Sequence, residues 1–224
     1  MLVHSLLGIL AGSFLWLDRV YIFQFMVSRP MIMGPILAVI MGDIKVGILI
    51  GASLELLWLN APPVGSYLPY DESFCTAVSV PVAFFAGTNM DQMSVSGLSL
   101  LICLPTAFVG RSLDMRLRSL NEGLIPAGMQ VKERDISRAM KKAIVRAFLF
   151  ACISISICVA ILGTIVHVIN PFIPTAVLSV LSLMPFVFII IGLAALMSKE
   201  MPSKKHAGVF ILGLALVLFI TWIL

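Results

Sequence analysis

Charge is what this chain has least of. Only 12% of its 224 residues are Asp, Glu, Lys or Arg, against roughly 25% in ordinary soluble domains. Hydrophobic residues make up 60%, and mean hydropathy is +1.10. So few polar groups cannot cover a water-soluble particle of this size, which excludes a soluble enzyme domain and a disordered chain. Cysteine is sparse as well. Cys75, Cys103, Cys152 and Cys158 show no CxxC or Cys/His spacing, and each lies in an apolar stretch where a thiol packs as a small hydrophobe. That excludes a disulfide scaffold and a zinc pattern. Also missing are a phosphate-cradling GxxxxGK(S/T) loop and a nucleophile elbow. His4, His167 and His206 have no acid or serine at a useful spacing. We therefore assign no catalytic residue, no metal ligand and no cofactor.

The few basic residues are clustered. Of fifteen Lys and Arg, nine lie from Arg111 to Arg146 and three more are Lys199, Lys204 and Lys205. Basic residues beside membrane-length apolar runs mark cytoplasmic loops. The pI near 9.0 and the net charge of +4 then express topology and not nucleic-acid binding. Three spans are expected in the C-terminal part, over 147–169, 175–197 and 207–224, each near the roughly 20 residues a bilayer core requires. Asn170-Pro171-Phe172-Ile173-Pro174 is the turn between the first two. This arrangement puts loops 111–146 and 198–206 in the cytoplasm and the C-terminus outside. An amphipathic helix is expected near 131–143, either docking or lying on lipid headgroups, or else a solvated connector. The first seventeen residues lack a basic n-region and an A-x-A-like cleavage site, so they read as a retained helix.

The N-terminal half does not divide into clean spans. Between 21 and 110 it is interrupted by Pro30, Pro35, Pro62, Pro63, Pro69, Pro81 and Pro105. Its apolar runs, 33–41 and 46–59, are each shorter than a bilayer crossing. Broken helices and re-entrant hairpins are tolerated only where protein or a water-lined cavity covers the freed backbone, and transporters place substrate there. The expected fold is an all-α, polytopic membrane protein of one domain: a broken-helix half (1–110) bearing the site, a basic cytoplasmic loop (111–146) and three spans (147–224).

Acids inside membrane segments cost about 2.5–3.5 kcal/mol each on insertion scales and mark a pathway or a partner. Asp18, Asp43, Glu55 and Asp71 stand out. Glu55 has no basic residue within four positions. It could accept hydrogen bonds from sugar hydroxyls, bind a cation, carry a proton, or be tied to backbone amides or a distant Arg. Arg29 is the obvious counter-charge. Asp43 follows Gly42 in what reads as a turn between two hairpin arms, with Lys45 close by. Asp71 is placed to cap a helix beginning near Glu72. Gln24 and Arg29, just before Pro30, could each serve a polar site.

These residues carry a resemblance. Arg29-Pro30, the run Gly42-Asp43-xxx-Gly47-xxx-Gly51-xxx-Glu55, Pro63-Val64-Gly65 and Pro69-Tyr70-Asp71 resemble the signature of the IIC subunit of the mannose/fructose/sorbose family of bacterial phosphotransferase systems (PTS). The likeness implies an elevator-type permease subunit in the bacterial inner membrane. It would bind and translocate a hexose-class sugar, pair with a IID membrane subunit, and form trimers of IIC–IID pairs. Cytoplasmic IIA and IIB partners would phosphorylate the sugar, so the chain itself is no enzyme. Glu55, Asp71 and Gln24 are implied to contact sugar, with Arg29, Asn60 and Asp43 as further candidates. Phe23 and Met26 stand where the family often has Asp and Gln, and Pro63 where many mannose members have Asn, so the likeness implies no particular sugar. Two other readings stay open at this point: a proton- or ion-coupled secondary transporter with Glu55 as the coupling site, and a non-transporting scaffold for IID.

Overall fold

The computed structural model describes residues 2–59, 68–86, 90–125 and 132–200, and every regular element among them is helical. In chain order these are α1 (Leu2–Leu17), α2 (Pro30–Met41), α3 (Ile44–Trp58), α4 (Glu72–Ala83), α5 (Gln92–Cys103), α6 (Thr106–Glu122), α7 (Glu133–Ile169) and α8 (Thr175–Glu200). The expected third C-terminal span (207–224) and most of loop 198–206 lie outside the described residues.

α7 and α8 are the long helices. At 1.5 Å per residue, the 37 residues of α7 extend about 55 Å and the 26 of α8 about 39 Å, each beyond the roughly 30 Å of a hydrocarbon core. Both are apolar enough to cross a membrane. A 3₁₀ turn, Asn170–Phe172, joins them, and Pro171 and Pro174 keep either helix from running through it. The face that α7 buries repeats every four residues: Ala147, Ala151, Ile155, Val159 and Gly163. Leu149, Ile153, Ile157, Ile161 and Ile165 form the opposite row and are exposed. An exposed row this apolar suits lipid and not water.

Residues 111–122 and 133–146, expected as parts of a loop, are helical. α6 runs through Arg118 to Glu122, and α7 begins at Glu133 and continues unbroken into the apolar span. Low hydropathy made these residues read as a connector, but charges on the exposed sides of helices serve equally well. The amphipathic helix expected near 131–143 is the first third of α7 and not a separate element.

The core is built around α4. Every residue from Ser73 to Ala83 is buried, as expected of a helix packed on all sides. α1 lies against it where Gly12 meets Ala77. The hydroxyls this burial traps find carbonyls: Thr76 donates to Glu72, and Ser99 of α5 donates to Ser79 of α4 at 2.6 Å. α5 and α6 meet at a bend of 46°, where Pro105 stands just ahead of α6 and cannot donate to a continuous helix.

α2 and α3 form a tight antiparallel hairpin. Gly42 takes φ +104°, its N–H bonding back to Ala38 O at 2.8 Å, a left-handed cap that glycine adopts without steric cost. Asp43 caps α3 directly afterwards. The arms nearly touch: a Cβ on Gly47 would meet the Gly34 carbonyl, and one on Gly51 the Pro30 carbonyl. At 12 and 15 residues the arms extend only about 18 and 22 Å.

Candidate functional site

Where the hairpin opens, three helix ends converge on a cavity of about 410 Å³. Its wall comes from the end of α1 and the segment after it (Asp18, Arg19, Gln24, Met26, Ser28, Arg29), the end of α3 (Trp58, Leu59) and the start of α4 (Glu72, Ser73). The breaks between short helices thus gather charged and polar side chains in one place.

Two acids organise this wall from behind. Asp71 is fully buried. One of its oxygens accepts from the Phe74 N–H at 2.8 Å and so caps α4. The other receives the Trp16 indole N–H at 2.8 Å and pairs with Arg19 Nη1 at 2.6 Å. The Asp71 N–H donates to Ala107 O, and Gly110 leaves room for the Asp71 Cβ. A carboxylate enclosed this way holds Arg19 in the wall and does not itself line the cavity.

Asp18 works on the backbone. Its carboxylate accepts from the N–H groups of Phe25 (2.9 Å), Val27 (2.7 Å) and Ser28 (3.3 Å). Phe23, Gln24 and Met26 all have positive φ, at 52°, 58° and 64°. For residues with a Cβ that conformation costs on the order of 1 kcal/mol or more each and persists only where surroundings enforce it. Charge-assisted bonds to three amides supply the enforcement. They aim Gln24, Met26, Ser28 and Arg29 at the cavity.

Glu55 pairs with Arg29 at 3.3 Å and accepts from the Met31 N–H at 3.4 Å. The expected counter-charge is therefore present. Arg29 is 44% exposed, which limits the pair to about 0–1 kcal/mol of stability. Glu55 reaches the cavity through Arg29 and is not itself in its wall. Gln24 is in the wall, its amide N–H donating to Val20 O at 3.2 Å. Asp43 is at the far end of α3, about 20 Å away along the helix. It accepts from the Lys45 N–H at 3.1 Å and from Gln92 Nε2 at 2.7 Å, apart from Gln24, Arg29, Glu55 and Asp71. Asn60 lies outside the described residues.

Arg19, Trp58 and Glu72 are wall residues outside the expected set. Arg19 beside Asp18 at the end of an apolar run was a signal; Glu72, next to a cap, gave none. Among the described residues no group of three or more His, Cys, Asp or Glu is placed to hold a metal ion.

Comparison with known proteins places this architecture. A family model described as PTS system sorbose-specific IIC component matches residues 2–224. The sorbose-specific EIIC component of Lacticaseibacillus casei is 28% identical over 145 residues, 65% of this chain and 49% of that protein. The mannose-specific EIIC component of Escherichia coli (strain K12) is 27% identical over 97 residues, 43% of this chain and 34% of that one. The chain thus spans about half the length, or less, of the curated relatives it matches. A solved structure of the mannose transporter ManYZ with microcin E492 shares the fold, with a TM-score of 0.61 and 20% identity over 98% of this chain and 87% of that chain.

Proposed function

The chain belongs to the sorbose-specific IIC family of phosphotransferase systems, and from that premise we propose that it is the sugar-carrying membrane subunit of such a system. One observation carries the reading: the cavity of about 410 Å³ where the broken helices meet. Its wall offers a sugar carboxylates and a carboxamide for hydroxyl donors, and guanidinium groups for hydroxyl acceptors. Trp58 supplies an apolar face for the sugar ring. Within this reading Arg29, Gln24 and Glu72 contact sugar, while Glu55 sets Arg29 and Asp71 sets Arg19. Asp43 is a cap, and Asn60, next to Leu59 in the chain, stays a candidate contact.

The rest of the arrangement follows from lengths and charges. α7 and α8 cross the bilayer with the basic α6–α7 region on the cytoplasmic side. The arms of the α2–α3 hairpin, too short to cross, enter the membrane and return, covered by α4 and α8. The hairpin and α4 carry the site between the two faces in an elevator-type movement. A IID subunit is the membrane partner, in trimers of IIC–IID pairs in the inner membrane. Phosphoryl transfer belongs to cytoplasmic IIA and IIB, not to this chain.

The test uses the assembled transporter in membrane vesicles. Uptake of a sugar such as mannose or sorbose is expected to require phosphoenolpyruvate and to deliver sugar phosphate. Proton-driven uptake of unmodified sugar would overturn the reading. Glu55→Gln is expected to weaken sugar binding roughly tenfold by releasing Arg29. Unchanged binding and uptake in a properly assembled complex would remove Glu55 from the site.

A further inference from the structure

The acids around the cavity are not equivalent. Asp18 is committed to three backbone N–H groups, Asp71 to Arg19, Trp16 and the α4 cap, and Glu55 to Arg29 and the start of α2. Glu72 also lines the cavity. Among the described residues its carboxylate enters no ion pair and no hydrogen bond with another side chain, its one bond being with its own backbone N–H. Its place in the first turn of α4 and the nearby Arg19 and Arg29 favour a negative charge there, against its burial and the neighbouring Asp71, which oppose it. The charge of each of the two arginines in the wall is balanced by an acid behind it. With Arg19 and Arg29 set against Asp18, Glu55, Asp71 and Glu72, the site carries an excess of negative charge, and the uncommitted part of it is on Glu72.

Resting on the reading of this cavity as a sugar site, we propose that Glu72 is its charge-selecting residue. Its free oxygens accept hydroxyls of a neutral sugar or the ammonium of an amino sugar, and its charge turns away sugars bearing a carboxylate or a phosphate. The physical basis is the distance dependence of charge interactions in a partly enclosed site: two like charges about 5 Å apart at an effective dielectric near 20 discriminate by more than a hundredfold. Rejection of phosphorylated sugar at this wall would also discourage rebinding of the product of phosphorylation.

The test is ligand binding to the purified, assembled transporter, read by intrinsic tryptophan fluorescence, since Trp58 lines the cavity. The probes are mannose, sorbose, glucosamine, glucuronate and mannose 6-phosphate. Wild type is expected to bind at least one neutral or amino sugar and neither anionic one. Glu72→Gln is expected to weaken the bound neutral sugar about tenfold, to weaken glucosamine more if it binds, and to raise affinity for the anionic probes. Glu72→Asp, which keeps the charge, is expected to retain the exclusion. Assembly measured by size exclusion separates a binding defect from a folding one. If Glu72→Gln proves misassembled, the wild-type and Glu72→Asp profiles still decide. Anionic and neutral sugars bound equally by wild type would overturn the selection, as would a Glu72→Gln profile identical to wild type. Failure of every probe to bind wild type would instead overturn the sugar site itself.

Discussion

α7 and α8 and the region from α1 to α4 answer the same solvent in opposite ways. The long helices satisfy their backbone internally. Between Ala147 and Ile169 no Asp, Glu, Lys or Arg occurs, and the hydroxyls of Ser156 and Thr164 fold back onto carbonyls four residues earlier. The short helices end inside the protein and leave amides without intrahelical partners. Each embedded acid singled out in this half meets an amide with no intrahelical partner: Asp43 that of Lys45, Glu55 that of Met31 and Asp71 that of Phe74 in the first turns of helices, and Asp18 those of Phe25, Val27 and Ser28 in the segment between α1 and α2. The acids are there because the helices are broken. What the contrast teaches is that a buried carboxylate in such a protein is first an answer to an orphan N–H, and a ligand for substrate only with what capacity is left.

The contrast breaks most sharply at Asp71. Asp71→Ala leaves Arg19, 14% exposed, without its partner, and removes the cap of α4. Stranding one member of a buried pair costs about 3–5 kcal/mol. A large fall in thermal stability is therefore expected, measured by fluorescence-detected size exclusion after heating. Thr164→Val in α7 deletes a hydroxyl that only bonds back within its own helix, and is expected to cost no more than about 0.5 kcal/mol. Equal effects from the two would mean that the broken half does not depend on its acids.

Asp18→Ala comes next. Losing charge-assisted bonds to three amides is expected to cost about 2–3 kcal/mol. The segment around Phe23, Gln24 and Met26 is expected to relax to negative φ. Gln24, Ser28 and Arg29 then leave the cavity wall, and sugar affinity is expected to fall at least tenfold in an assembled complex. Stability lost with affinity intact would show that this segment does not shape the site.

How much of this was legible beforehand follows from the range of each interaction. The turn at Gly42-Asp43 and the caps at Asp43 and Asp71 depend on neighbours in the chain and could be read directly. The Arg29–Glu55 pair could be inferred because Arg29 was the obvious nearby cation for an acid with no local partner. Helical structure at 111–122 and 133–146 was hidden because hydropathy reports burial and says little about helicity on an exposed surface. The clamp made by Asp18 needs a backbone path that composition does not announce. Glu72 needs more still, since its importance lies in being the acid left uncommitted once Asp18, Glu55 and Asp71 have found partners.

Asp43 supplies the smallest effect and the cleanest separation of role from position. It shares its residue type and its surroundings of broken helices with Asp18 and Asp71, yet it sits at the closed end of the hairpin. There it bonds the Lys45 N–H and Gln92 Nε2, with no share in the cavity. If position relative to the cavity decides which acids affect sugar, Asp43→Ala is expected to cost about 1 kcal/mol, the ordinary value of an N-cap. Sugar affinity of the assembled transporter is expected to stay within twofold of wild type, with thermal stability and ligand titration measured on the same sample. A tenfold loss of affinity with unchanged stability would place Asp43 in the path of the sugar. The closed end of the hairpin would then belong to the site as much as the open one.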